Sequence, residues 1–166
     1  RLPVLSNFAC ESAIFQEDAA HFAQSARKRF SQLDVAYFDP PYNQHPYGSN
    51  YFMLNLITDF INEGKRPNAV GLSRVSGIPT GWNRSAYNKK SSAAEEFFAL
   101  LAKFPAKFLI ISFNSEGFIS KAEFLKNLAQ IGSVRTIEIR YPTYRASRNL
   151  NARELYVTEF LYVVQK

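Results

Sequence analysis

The sequence is poor in glycine, cysteine and charge, and it has no long apolar run. Only seven of its 166 residues are glycine and none precedes Gly48, so the first part of the chain holds no glycine-built loop. The lone Cys10 cannot form an internal disulfide, so nothing indicates secretion. No apolar run approaches the roughly 20 residues that a membrane-spanning helix needs. We therefore expect one globular domain that makes no use of a membrane.

Aromatic residues and positive charge are what the sequence has in excess. Phe, Tyr and Trp make up 15% of the chain, and its net charge is +6. Two segments, 59–90 and 135–153, each carry +4, which leaves −2 for the remainder. Concentrated Lys and Arg favour a polyanionic partner such as nucleic acid, because each neutralised phosphate releases counterions. Two solvated basic loops are the alternative interpretation.

Hydrophobic periodicity predicts alternating strands and helices. The predicted strands are 13–16, 35–38, 108–113, 134–140 and 156–164, and the predicted helices are 18–30, 49–61, 91–102 and 120–130. This order indicates a three-layer α/β sheet, mostly parallel, with an antiparallel hairpin at its C-terminal edge. Ligands of such sheets bind beyond the carboxyl ends of the strands, so the loops at 17–18, 39–42 and 114–117 should share one functional rim.

Asp39-Pro40-Pro41-Tyr42 is the most informative stretch. It follows the apolar strand VAYF directly, and two prolines stiffen the turn, leaving a carboxylate and a phenol ring at the strand end. An ordinary strand-ending turn is the alternative for a bare Pro-Pro pair. The preceding strand and the flanking Asp and Tyr favour a binding or catalytic loop.

This stretch resembles the DPPY motif of the Dam-like class of adenine-specific DNA methyltransferases. The resemblance extends to FQEDA before the motif, DPPYNQHPYGSNYFMLNLI around it, FLIISFNSEGFIS after it and YRASRNLNARELYVTEFLYVV at the end. It implies a Rossmann-like methyltransferase sheet over residues 13–166, with 1–12 as the tail of a preceding region. It also implies a cytoplasmic, nucleoid-associated bacterial or phage enzyme of a restriction-modification or Dam-like system.

The resemblance assigns the chemistry to Asp39, Pro40 and Tyr42. The carboxylate of Asp39 and the carbonyl of Pro40 would accept the two N–H groups of an adenine amino nitrogen and aim its lone pair at the methyl group of S-adenosylmethionine. Tyr42 would stack on the ring of an adenine flipped out of double-stranded DNA. The same resemblance places the cofactor against Phe15, Gln16, Asp18, Asp39 and Pro40.

Nucleic-acid contacts are expected at Asn43 and Tyr51 near the motif, and at Arg145, Arg148 and Asn149 between the last two predicted strands. No metal is expected, because His21, His45 and Cys10 have no partners at metal-ligand spacing.

The sequence departs from the family at its front. Members carry a glycine-containing loop ahead of DPPY that cradles the cofactor, and no glycine stands there in this chain. The N-terminal part of the domain therefore reads as missing, and another polypeptide could supply it; alone, the chain should bind cofactor weakly and transfer little methyl. The alternatives are a non-catalytic nucleic-acid-binding remnant and a methyltransferase acting on RNA adenine or on a protein glutamine.

Overall fold

The computed structural model describes residues 8–30, 33–64, 71–78, 80–81, 85–143 and 154–166. The helices are α1 (Ala19–Arg29), α2 (Tyr47–Asn50), α3 (Phe52–Glu63), α4 (Ala93–Lys103) and α5 (Lys121–Leu128), with a short 3₁₀ helix at Ala86–Asn88. The strands are β1 (Leu33–Phe38), β2 (Ala106–Asn114), β3 (Ser133–Pro142) and β4 (Tyr156–Gln165). Each α-helix and strand overlaps a predicted element of the same type, whereas the 3₁₀ helix lies where no element was predicted.

Local capping explains where two of the helices begin. At α1, the Asp18 carboxylate accepts hydrogen bonds from the amides of Ala20 (2.9 Å) and His21 (3.3 Å). The Ser120 hydroxyl accepts one from the amide of Glu123 (3.2 Å) at α5. Such caps satisfy amides that have no partner within the helix, and each contributes about 1 kcal/mol.

The four strands form one sheet in the order β1-β2-β4-β3. β1 and β2 are parallel, whereas β4 runs antiparallel to both β2 and β3. The C-terminal antiparallel hairpin is therefore confirmed, with β4 inserted beside β2. The expectation of a mostly parallel sheet is wrong for these four strands, because only one of their three pairings is parallel.

The predicted strand at 13–16 is also wrong. These residues have no regular structure, and Ile14 is 97% exposed. Phe15 packs instead against Phe22 and Phe30 of the α1 region, at ring-centroid distances of 5.3 and 6.5 Å. A short apolar run becomes a strand only where a neighbouring strand satisfies its backbone, and none of the described strands lies beside this one.

The hydrophobic core fills one face of the sheet. Leu109, Ile111 and Tyr162 are fully buried there beneath α1, α4 and α5. The core holds an aromatic cluster in which Phe124 stacks on Tyr162 (4.6 Å) and packs on Phe113 (4.7 Å). Much of the aromatic excess is thus structural. The described residues form two layers, so the third layer of the predicted sandwich remains a prediction.

None of the helices in the described ranges is both long and apolar enough to cross a membrane.

Candidate functional site

The DPPY loop leaves β1 at the rim where β2 also ends. Because the two strands are parallel, Asp39 and Asn114 follow the same edge of the sheet. The carbonyl of Tyr42 accepts a hydrogen bond from the amide of Phe118 (2.9 Å), and the Tyr42 ring packs edge-on against Phe113 (5.9 Å). The structure therefore brings the 39–42 and 114–117 loops together, as predicted.

A buried asparagine anchors the chain just after the motif. The side-chain amide of Asn88, which is only 5% exposed, donates to the carbonyls of Asn43 (2.9 Å) and His45 (3.3 Å). The Asn43 side chain in turn accepts from the amide of His45 (3.0 Å). Sequence reasoning missed Asn88, which no motif marks. Asn43, predicted to contact nucleic acid, already uses its side-chain oxygen within the loop.

The inner side of the motif is packed, and its carboxylate faces outward. Pro40 and Tyr42 line a cavity of only about 10 Å³ together with Tyr87 and Phe97. That volume is about the minimum for one water molecule, so no base or cofactor binds beneath the loop. Asp39, in contrast, is exposed. A ligand must therefore approach from the outer side of the rim, where Asp39 lies.

Tyr42 is half-buried, and its surroundings keep the phenol neutral. Burial raises the pKa of Tyr42 above its usual value, and the negative charge of Glu159 raises it further. A hydrogen bond with the side chain of buried Asn114 opposes these effects. Tyr42 thus presents an uncharged ring, held by the core on one side, which suits stacking against a planar ligand.

A pair of tyrosines, Tyr47 and Tyr51, lies beside Asp39. The hydroxyl of Tyr47 donates to the backbone carbonyl of Asp39 (3.4 Å), and the Tyr47 ring packs edge-on against Tyr51 (5.7 Å). Burial and then the charge of Asp39 raise the pKa of Tyr47. Tyr51 was predicted as a contact residue and lies half-exposed here. Tyr47 was missed, although its spacing of four from Tyr51 within PYGSNY was a usable signal.

Three of the five residues predicted to contact a cofactor lie just before α1: Phe15, Gln16 and Asp18. Asp18 caps that helix, Gln16 is exposed, and the Arg29 guanidinium lies 4.8 Å from the centroid of the Phe15 ring. Asp18 is close enough to Tyr87 to act on it: burial, followed by the charge of Asp18, raises the pKa of Tyr87 to about 12. Tyr87 also lines the cavity beneath Pro40.

The described residues do not include three of the predicted nucleic-acid contacts, Arg145, Arg148 and Asn149. Among the residues that are described, no group of three His, Cys, Asp or Glu side chains is placed to hold a metal ion.

Comparisons with known proteins agree with one another. Residues 8–70 match the model of the D12 class N6 adenine-specific DNA methyltransferases. The chain is 30% identical over 143 residues to the type II methyltransferase M.CviAII of Paramecium bursaria Chlorella virus 1. It is also 30% identical over 138 residues to the type II methyltransferase M.NlaIII of Neisseria lactamica, and 27% over 161 residues to the modification methylase StsI of Streptococcus sanguinis. No solved structure matches the chain.

These relatives are much longer than the region they share with this chain. The match to M.CviAII covers 86% of the chain but 40% of that protein, and the match to M.NlaIII covers 80% and 38%. For StsI the shares are 94% and 22%. The chain therefore spans about two fifths of the first two relatives, and less of the third.

Proposed function

Because residues 8–70 match the D12 class of N6 adenine-specific DNA methyltransferases and two type II methyltransferases are 30% identical to the chain, we propose that it carries the target-base part of a site that methylates N6 of adenine in duplex DNA. The observation that carries this proposal is the anchored loop at the rim. Asp39 is exposed at the end of β1, while hydrogen bonds from Phe118 and Asn88 fix the backbone that follows it.

Asp39 and Pro40 act as hydrogen-bond acceptors for the amino group. An adenine amino nitrogen is a poor nucleophile because its lone pair is delocalised into the ring. The Asp39 carboxylate and the Pro40 carbonyl each accept one N–H, which favours a pyramidal nitrogen with its lone pair available. Acceptors that are already in place stabilise this arrangement without reorganisation during the reaction.

Tyr42 holds the base. An adenine inside a duplex cannot reach this rim, so the base must be flipped out at a cost of a few kcal/mol. Stacking on an aromatic side chain returns about 1–3 kcal/mol per base. Tyr51, beside the same loop, and the basic residues Arg145 and Arg148 are proposed to contact the DNA.

S-adenosylmethionine, when bound, supplies the methyl group. The described residues offer carboxylates for one side of a site for it, Asp18 at the start of α1 and Asp39 at the end of β1. Phe15, Gln16, Asp18 and the backbone at Pro40 would hold it. The glycine loop that the family uses has no counterpart before Gly48, so we infer that it comes from a further segment of the same polypeptide or from another chain.

The test uses a protein that contains both this chain and the further segment, with Asp39 replaced. Asp39→Asn keeps the size of the side chain but removes the charge and one acceptor. We expect tritiated-methyl transfer to duplex DNA to fall about 100-fold or more, since loss of one catalytic hydrogen-bond partner has effects of this order. DNA affinity should change little, because Asp39 does not neutralise phosphate.

Asp34→Asn is the matched control. Asp34 lies on the same strand, is exposed and pairs with Lys107 (2.8 Å), away from the rim. Its replacement should leave transfer unchanged. Full activity in Asp39→Asn, or an equal loss in Asp34→Asn, would show that Asp39 does not carry the reaction. A digest of modified nucleosides and amino acids separates DNA adenine from RNA adenine and protein glutamine as the substrate.

A further inference from the structure

The backbone of the DPPY loop is held by hydrogen bonds to its carbonyls, with one exception. The carbonyl of Tyr42 accepts from the amide of Phe118 (2.9 Å), and that of Asn43 accepts from the side chain of Asn88 (2.9 Å). No described residue donates a hydrogen bond to the carbonyl of Pro40. That carbonyl can therefore accept a hydrogen bond from a ligand.

Few backbone rotations separate the Asp39 carboxylate from the Pro40 carbonyl. The ring of Pro40 holds its own φ at about −65°. Pro41, which follows, excludes the helical region for Pro40 and so restricts the ψ of that residue. The peptide bonds of this loop are trans and do not rotate freely. The ψ of Asp39 is therefore the backbone angle that decides how the two acceptors lie relative to each other.

Tyr47 acts on that angle. Its hydroxyl donates to the carbonyl of Asp39 and so opposes rotation of the peptide that joins Asp39 to Pro40. The Tyr47 ring is itself held edge-on against Tyr51, at 5.7 Å and 73°. Burial, followed by the charge of Asp39, raises the pKa of Tyr47, so the phenol keeps the proton that it donates. The separation of 3.4 Å is long for such a bond, but hydrogen bonds at active sites often tighten once a substrate binds.

We propose that Tyr47 is a positioning residue for methyl transfer: its hydroxyl fixes the Asp39–Pro40 peptide so that the carboxylate of Asp39 and the carbonyl of Pro40 face the same amino group. This proposal rests on the proposed function and adds to it a residue outside the motif. Because Tyr47 acts through the backbone and not on the base, loss of its hydroxyl should lower kcat and leave the KM for DNA nearly unchanged.

The experiment compares Tyr47→Phe with Tyr37→Phe in a protein that contains both this chain and the further segment. Each change removes one hydroxyl and keeps the ring; Tyr37 lies on β1, two residues before Asp39, and is 61% exposed. We expect Tyr47→Phe to lower kcat for tritiated-methyl transfer to duplex DNA about tenfold, which is less than the loss expected when Asp39 itself is changed. Tyr37→Phe should change neither kcat nor KM.

A second readout reports on the peptide itself and does not depend on methyl transfer. Asp39 is the only aspartate of the chain that precedes a proline. Labelling the carbonyl carbon of Asp with carbon-13 and the nitrogen of Pro with nitrogen-15 therefore marks the Asp39–Pro40 bond alone in this chain. We expect the carbonyl resonance of Asp39 to move in Tyr47→Phe, which removes the hydrogen-bond donor, and to stay in place in Tyr37→Phe.

An Asp39 resonance that Tyr47→Phe leaves in place would overturn the proposal, and so would an unchanged kcat or an equal loss in Tyr37→Phe. A loss that appears in KM alone would also overturn it, because Tyr47 would then be a direct DNA contact. Failure of the proposed function looks different, since Asp39→Asn would then keep full activity. An inactive Asp39→Asn beside a normal Tyr47→Phe would leave the proposed function standing and remove the positioning role.

Discussion

The two faces of the sheet are built from the same kinds of side chain but differ in what covers them. On the face beneath α1, α4 and α5, Leu109 and Ile111 are completely buried. On the opposite face of the sheet, which we call the open face, Val35 and Ile139 are more than half exposed. Side-chain type therefore does not decide burial in this molecule; the presence of a packed helix layer does.

The covered face also supports the candidate site. Phe113 lies within the aromatic cluster of that face and contacts the ring of Tyr42. The cavity beneath Pro40 is closed by Tyr87 and Phe97 from the helix side. The rim thus takes its rigidity from the core, while the open face contributes little to it. Stability and site geometry should therefore depend mainly on the covered face.

The largest expected effect comes from truncating a matched residue on each face. Ile111→Ala should lower the free energy of unfolding by about 2–5 kcal/mol, because it removes buried methyl groups and leaves a cavity. Ile139→Ala, on the open face, should change it by less than about 0.5 kcal/mol. Urea denaturation followed by circular dichroism measures both. A loss at Ile139 comparable with that at Ile111 would mean that the open face is already covered in the isolated chain.

Much of the fold could be predicted because the pattern of each element is local. Asp18 and Ser120 mark two helix starts, and the alternation of 134–140 and the apolar run of 156–164 give a hairpin. Pairing is not local, and there the prediction failed. The run at 13–16 has the composition of a strand, but Phe15 finds aromatic partners on α1 instead of a neighbouring strand.

The candidate site was predictable only where a motif marks it. DPPY identified Asp39, Pro40 and Tyr42, and the rule for the carboxyl ends of strands placed Asn114 beside them. Asn88 and Tyr47 were missed because they act on the loop through backbone carbonyls, and any residue type can supply a carbonyl. Such contacts depend on how distant segments meet.

A second test uses Tyr87, which is partly buried against the core on the covered face. The pKa of Tyr87 rises to about 12, chiefly through burial, whereas the ordinary value is 10.0. The pKa of Tyr87 is higher in the folded than in the unfolded protein. The neutral Tyr87 phenol therefore contributes stability that is fully present below pH 10 and is lost as the pH rises toward 12. The free energy of unfolding should therefore fall over that window, by at most about 1.4 kcal/mol per pH unit for each such group.

Tyr87→Phe keeps the ring that packs edge-on against Phe97 (5.8 Å) and removes the titrating group. Its stability should depend less steeply on pH between 10 and 12 than that of the parent protein, as measured by urea denaturation at intervals across that window. Parallel profiles for the two proteins would show that Tyr87 titrates normally and is not protected by the covered side.

The smallest expected effect comes from removing one tyrosine hydroxyl on each face of the sheet. The buried hydroxyl of Tyr162, on the covered face, has no hydrogen-bond partner among the described residues. A buried polar group without a partner costs about 1–3 kcal/mol, so Tyr162→Phe should stabilise the fold by about 1 kcal/mol while keeping the ring stacked on Phe124. Tyr37→Phe, on the open face, should change the melting temperature little, since water solvates that hydroxyl. Destabilisation by Tyr162→Phe would instead reveal a partner for the hydroxyl, and the covered face would then owe part of its stability to a buried hydrogen bond.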